Sequence, residues 1–231
     1  MARCPFAEWM PISGSSGSYT GGPFKIVHHT TEGSSADGAF SAFKANRSDP
    51  HFTVSNTKIY QHIDTGQAAR ALRHPAGTPE TNRDSAVQIE LVAFAGKPKD
   101  RTALFNLARL CRWIEQQHAI PPAWPMGAPP PPVNGSDAGH HTRDQAIWDA
   151  KGGHYGHCHV PNNVHWDPAF DALESAYVLA AQFDATGKLA NPQDPAVKAL
   201  RDHPVLGIDE AVKPEVIVDH ESFAADDADR N

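Results

Sequence analysis

The densest set of ligating side chains in this sequence lies between residues 154 and 168. It reads His154-Tyr-Gly-His157-Cys-His159-Val-Pro-Asn-Asn-Val-His165-Trp166-Asp167-Pro168, with four histidines and an aspartate in one short stretch. Imidazole nitrogen and carboxylate oxygen are donors that zinc accepts, and a catalytic zinc site takes three protein ligands and keeps a fourth position for water. The Gly and Pro residues make the stretch read as a loop, so its ligands need not follow helical spacing. A histidine from a rigid element would complete a set. His28 closes Phe24-Lys-Ile-Val27, which reads as a short buried strand. His28 and His29 are neighbours on that strand and point to opposite faces, so only one of them can enter a given site. A total of 14 histidines is an excess that asks for such a site, histidine being the commonest metal ligand and the usual acid or base near neutral pH.

The elements that must hold these residues are legible in outline. Residues 39–45 read as a short helix. Residues 51–55 and 58–63 alternate around Asn56-Thr57 and read as a hairpin. Val87-Gln-Ile-Glu-Leu-Val92 reads as a further strand. Residues 102–118 carry Leu104, Leu107, Cys111 and Ile114 at helical spacing, with Thr102 as a cap, and residues 168–184 are helical around Phe170, Leu173 and Tyr177. Residues 64–86 are polar and read as an irregular loop or a short helix over 65–72. Residues 1–22, Gly/Ser-rich after Trp9, read as a flexible leader. A catalytic domain is expected over 23–184, interrupted by a Pro-rich insertion at 121–135. A C-terminal extension covers 185–231, and its last 18 residues carry six acidic side chains and one Arg.

Composition excludes several classes. The 231 residues are enough for one well-buried core. A net charge of -7 argues against a broad basic face, so no nucleic-acid partner is expected. No apolar run approaches the roughly 20 residues of a membrane span. Three cysteines, at 4, 111 and 158, do not make a disulfide framework. The N-terminal residues lack the apolar core of a secretory signal, so synthesis in a bacterial cytoplasm without that signal is expected.

Four stretches in order, Ile26-Val-His28-His-Thr30, His51-Phe52 with its hairpin, Ser85-Ala-Val-Gln-Ile-Glu90-Leu, and Gly156-His157 through His165-Trp166-Asp167-Pro168, resemble the zinc-dependent N-acetylmuramoyl-L-alanine amidases of the type 2 amidase and peptidoglycan-recognition superfamily. The resemblance covers about residues 23–180. It implies an α/β fold with a mixed central sheet of five or six strands and helices on both faces. It implies one Zn2+ per chain, held by His28, His157 and Asp167. His159 is the alternative to His157, which Gly156 favours. The resemblance further implies Glu90 as general base and His165 as oxyanion stabiliser. The reaction implied is hydrolysis of the amide between N-acetylmuramic acid and L-alanine of the peptidoglycan stem peptide. The alternative is a non-catalytic peptidoglycan-binding module.

Some positions depart from the family pattern. Pro50 stands where some relatives carry a Tyr before the His-Phe pair, with Tyr60 a weak substitute, and Ala169 stands where a Gly often follows Asp-Pro. Trp124, Trp166 and His51 are candidates for substrate contact, though His51 also suits structural packing. His29 and His159 read as supporting or exposed residues. Cys158 has no cysteine-protease pattern around it and is no nucleophile. The expected partner is peptidoglycan or a muropeptide, with an export machine or an inhibitor protein as further partners. An endolysin, a secreted effector and a cytosolic recycling enzyme are the competing contexts, the first two acting on the cell wall.

Overall fold

Alternation along the strands decides which side chains can meet. The computed structural model describes residues 2–72 and 81–204. In chain order the elements are β1 (Glu8–Trp9), β2 (Lys25–Thr30), α1 (Ala36–Asn46), β3 (Phe52–Val54), β4 (Ile59–Gln61), β5 (Ala86–Leu91), α2 (Arg101–His118), α3 (Gln145–Ala150), β6 (Gly153–Gly156), α4 (Ala172–Ala180) and α5 (Pro195–Asp202), with 3-10 turns at Thr81–Arg83 and His157–His159. The six strands form one sheet in the order β1-β4-β3-β5-β2-β6. Every pairing is parallel except β3 with β4, the expected hairpin. This is a mixed sheet in an α/β fold, as the sequence implies.

β2 and β5 are buried at all six positions, so both of their faces are covered. Ile26, Phe52, Val54, Val87, Ile89 and Leu91 face α2, which meets them with Leu104, Leu107, Cys111 and Ile114. α4 and α5 close this side through Val178, Val197 and Leu200. Val27, Ala86 and Tyr155 project to the other face and pack with Leu72, Trp148 and Val160. α1 also covers this face, with Phe40 stacked on His62 and Phe43 edge-on to it. α2 begins one residue earlier than expected. Asp100, not Thr102, is its cap and accepts a hydrogen bond from the Ala103 amide.

Three expectations change. Residues 2–22 are not a loose leader. Cys4 is buried and its amide donates to Gln61 Oε1 at 2.8 Å, β1 adds a strand beside β4, and the Gly/Ser stretch is tied by Ser16 N to Ala68 O at 3.0 Å and Thr20 N to Arg83 O at 2.8 Å. The outer edge of β4 offers backbone groups that need partners, and Glu8–Trp9 supply them as β1. The domain also does not stop at 184, because Val197 and Leu200 of α5 complete the core over α4. Residues 65–72 contain turns and isolated bridges rather than a helix. The acidic end of the chain lies outside the described residues. None of the described helices is long and apolar enough to cross a membrane.

Candidate metal centre

The centre is built where β2, β5 and β6 end side by side. β2 supplies His29, which shares the face of Val27. β5 supplies Glu90, which is in register with His29. β6 runs directly into the turn that begins with His157. The following loop returns Asp167 to the end of β2, where the Thr30 amide donates to its Oδ2 at 3.2 Å. Cys158 N donates to the Asp167 carbonyl at 3.0 Å and holds the loop against the turn.

His29, His157 and Asp167 bring one donor atom each to within 4.8 Å of one another, and all three are buried. His29 Nδ1 lies 3.0 Å from His157 Nδ1. Asp167 Oδ1 is 3.1 Å from His157 Nδ1, and its Oδ2 is 3.7 Å from His29 Nδ1. Nitrogens sharing a tetrahedral zinc at ordinary bond lengths sit roughly 3.3 Å apart. Two imidazoles and one carboxylate are the donor set of a catalytic zinc site, and the outer Nε2 of each ring is buried without a partner among the described residues. The residues present therefore fit a zinc ion.

The first member of the expected ligand set, His28, does not lie with the other two. His28 is on the opposite face with Ile26, packed against Trp124, His154 and Phe170, with its Nε2 2.9 Å from His154 Nδ1. The two neighbours do face opposite ways, and it is His29 that enters the site. His159 stays out as well. It is buried, and its Nδ1 accepts from the Gly156 amide at 3.1 Å.

Electrostatics separates the two carboxylates. Burial pushes the Glu90 carboxyl well above its usual value, helped by the nearby negative charges of Asp167 and Glu32. Burial acts the same way on Asp167, but His157, through its charge and its hydrogen bond, leads the groups that outweigh it and hold that carboxyl well below the usual range. Burial, with His157 next, likewise keeps the His29 ring neutral, the form that donates a lone pair. Glu90 Oε2 is buried and has no hydrogen-bond partner among the described residues. His165 sits at the mouth with its side chain half exposed. Its ring stacks on His157 at 4.4 Å between centroids, and its Nδ1 is 3.9 Å from Asp167 Oδ1.

The remaining candidates scatter. His51 is fully buried, accepts from Gln88 N at 2.9 Å through Nδ1 and donates to Gln67 O at 2.8 Å through Nε2, so it braces β3 against β5 and has no face for substrate. Trp124 packs behind the sheet beside His28 and His154 and donates to Ser175 O at 3.3 Å, away from the site. Trp166 is half-buried in the ligand loop itself. Tyr60 is tied to Asp37 and Lys58 at the outer part of the sheet, two strands from Glu90. Residues that sequence reasoning missed include Arg143, whose Nη2 donates to the His165 carbonyl at 2.8 Å, and Thr30. The Pro-rich insertion borders the centre, since a Cβ on Gly156, which precedes His157, would lie 3.2 Å from Pro129 Cγ.

The sequence profile of the N-acetylmuramoyl-L-alanine amidase family matches residues 22–170. The chain belongs to that family. The match takes in His29, Glu90, His157, His165 and Asp167. Among solved structures, this amidase-family chain is similar in fold to Staphylococcus aureus hydrolase AmiA in complex with its ligand. The identity is 18%, over 77% of this chain and 82% of that one, with a TM-score of 0.51. A selenomethionine derivative of AmpD matches at 14% identity, over 76% of this chain and 96% of that one, with a TM-score of 0.49. The amidase LysC from Clostridium intestinale matches at 18% identity, over 51% of this chain and 79% of that one, with a TM-score of 0.40. No curated protein matches the chain significantly.

Proposed function

We propose that this amidase-family chain is a zinc hydrolase that cleaves the amide between N-acetylmuramic acid and the L-alanine of a peptidoglycan stem peptide. The observation that carries the reading is the convergence of His29, His157 and Asp167 beside Glu90, on one face of adjacent strands. His29, His157 and Asp167 would hold one zinc ion. Bound there, the metal would supply a Lewis acid for the scissile carbonyl and make water more acidic.

The protein's own groups account for the proton movements. Glu90 is a buried carboxylate whose pKa is raised, so it accepts a proton from the attacking water more readily than an exposed carboxylate does. The water oxygen bonds to the carbonyl carbon, and Glu90 passes the proton to the amine nitrogen as the C–N bond breaks. His165, stacked on His157 and open to the mouth, donates toward the carbonyl oxygen as its charge develops. Arg143 holds the His165 backbone in place. The products are a muramyl carboxylate and a peptide with a free L-alanine amine.

Purified protein incubated with peptidoglycan sacculi, with and without a chelator, tests the reading by mass spectrometry of the products. Release of peptides beginning with L-alanine, lost with chelator and restored by zinc, is the expected result. Binding of zinc-loaded protein to sacculi and to soluble muropeptides without cleavage of either would overturn it in favour of a recognition module.

A further inference from the structure

Behind the metal centre, on the α2 face of the sheet, a string of polar groups crosses an otherwise apolar core. Arg112 donates through Nη2 to the Val178 carbonyl at 3.0 Å and to Glu115 Oε1, so it is anchored to the end of α4. The same Glu115 oxygen is 2.8 Å from His154 Nε2, and His154 Nδ1 is 2.9 Å from His28 Nε2. His28 and His154 are 1% and 0% exposed.

The direction of the string follows from its chemistry. A guanidinium can only donate, so Glu115 Oε1 is an acceptor and takes the Nε2 proton of His154. That leaves a lone pair on His154 Nδ1, which accepts from His28 Nε2–H. His28 Nδ1 is then a buried acceptor with no partner among the described residues. Apolar residues of similar size would fill the same core at less desolvation cost, so the string is an expense to stability that asks for a role.

We infer that Glu115, His154 and His28 are positioning residues that set the spacing of the two metal-binding histidines. This rests on the metal centre proposed above. His28 adjoins His29 on β2, and His154 lies three residues before His157 at the end of β6. In the parallel pairing Ile26 is opposite His154 and His28 is opposite Gly156, so the His28–His154 bond runs diagonally across the two strands. A diagonal bond resists sliding of β6 along β2, the motion that would pull His157 away from His29. Glu115 fixes the tautomer that makes the bond possible, and Arg112 ties the string to α4, which follows the ligand loop.

The same region admits a competing chemistry. His28, His154 and Cys111 each place a donor atom within 4.8 Å of the other two. The hydrogen-bonded string is favoured because the His154 lone pair is already used and burial keeps the Cys111 thiol protonated.

The test is the zinc dissociation constant of the full chain, measured by competition with a chromogenic chelator, for wild type, Glu115→Gln, Glu115→Leu, His154→Phe and the core control Leu104→Ala. Glu115→Leu and His154→Phe are expected to weaken zinc binding about 10-fold, the low end of the effect of losing a group bonded directly to a ligand, because these residues act through the neighbouring strand positions. Glu115→Gln keeps an oxygen that accepts from His154 and stays within about threefold of wild type. Leu104→Ala lowers the melting temperature without moving zinc affinity. If His154→Phe does not fold, the Gln and Leu variants at 115 decide alone. Unchanged zinc affinity in folded Glu115→Leu overturns the inference while leaving the metal centre standing. A wild type that binds no zinc removes the metal centre and the inference together. A second cobalt ion per chain, with a thiolate charge-transfer band lost in Cys111→Ser, overturns it in favour of a second metal site.

Discussion

His29 and Glu90 sit opposite each other on adjacent parallel strands and project from the same face of the sheet. Neighbouring strands lie about 4.8 Å apart, so this register alone brings an imidazole and a buried carboxylate to one spot. His28, one residue away, is on the wrong side of the sheet for that spot. His29→Ala is therefore expected to abolish stoichiometric zinc binding, a larger effect than the roughly 10–100-fold of an orienting partner. His28→Ala should still reach one zinc per chain at saturating metal, with weaker affinity. Metal analysis of the two variants after equilibration with excess zinc and gel filtration in zinc-containing buffer checks the pair. Full zinc in His29→Ala would remove it from the ligand set.

Glu90 has a different signature, because it is placed to handle protons rather than to ligate. Glu90→Gln should leave zinc content unchanged and lower kcat by roughly 10^2–10^4-fold, the range for removal of a general base. A base works only when deprotonated, and burial raises this carboxyl well above its usual value. Activity should therefore fall on acidification at a higher pH than an exposed carboxylate would dictate. Bound zinc would draw that limb partly back toward acid. The kcat/KM profile of the zinc-loaded enzyme on a soluble muropeptide measures it. An acid limb at ordinary carboxylate pH, or an active Glu90→Gln, would assign the base elsewhere.

Much of this arrangement is readable in the residues themselves. The 3.6-residue spacing of Leu104, Leu107, Cys111 and Ile114 marks α2, and the β-rich run around Glu90 marks β5. The parity of His28 and His29 is not readable, because β2 is buried on both faces and offers no polar side to contrast with an apolar one. Only the pairing of β2 with β5 settles it. β6 is hidden for another reason. It has four residues, two of them Gly, and lacks the alternation that announces a strand. The N-terminal stretch misleads because Gly and Ser signal a permissive backbone, whereas its order comes from Cys4, β1 and bonds made more than 50 residues away.

His51 and His62 link stability to pH. The Nδ1 of His51 accepts from a backbone amide, so a proton there would set two donors against each other. Burial lowers the His51 pKa to about 4, and burial does the same for His62. An unfolded histidine titrates near 6.5, so between about pH 6.5 and pH 4 the unfolded chain binds more protons than the folded one. Stability is thus fully present above that window and falls through it as pH drops, by up to about 3 kcal/mol for each ring. Urea midpoints at pH 7.0, 5.5 and 4.5 would show the decline, and imidazole NMR would show the His51 ring unprotonated at pH 5. A His51 ring that titrates near 6.5 in the folded protein would remove it from this account.

Gly156 ties the proline-rich segment to the metal centre. It precedes His157, and an added Cβ would lie 2.9 Å from Cys158 Sγ, 2.9 Å from Pro168 Cδ and 3.2 Å from Pro129 Cγ. Neither proline ring can rotate away, so the strain must move the backbone that carries His157 or Asp167. Gly156→Ala is expected to destabilise the fold by about 1–3 kcal/mol, the usual cost of overpacking, and to weaken zinc binding. Pro129→Ala in the same background opens one of the three contacts and should recover part of both losses, whereas Pro129→Ala alone should cost little. Urea unfolding and zinc titration of the two single variants and the double variant separate the terms. Strictly additive effects would show that the segment passes by Gly156 without bearing on the ligands.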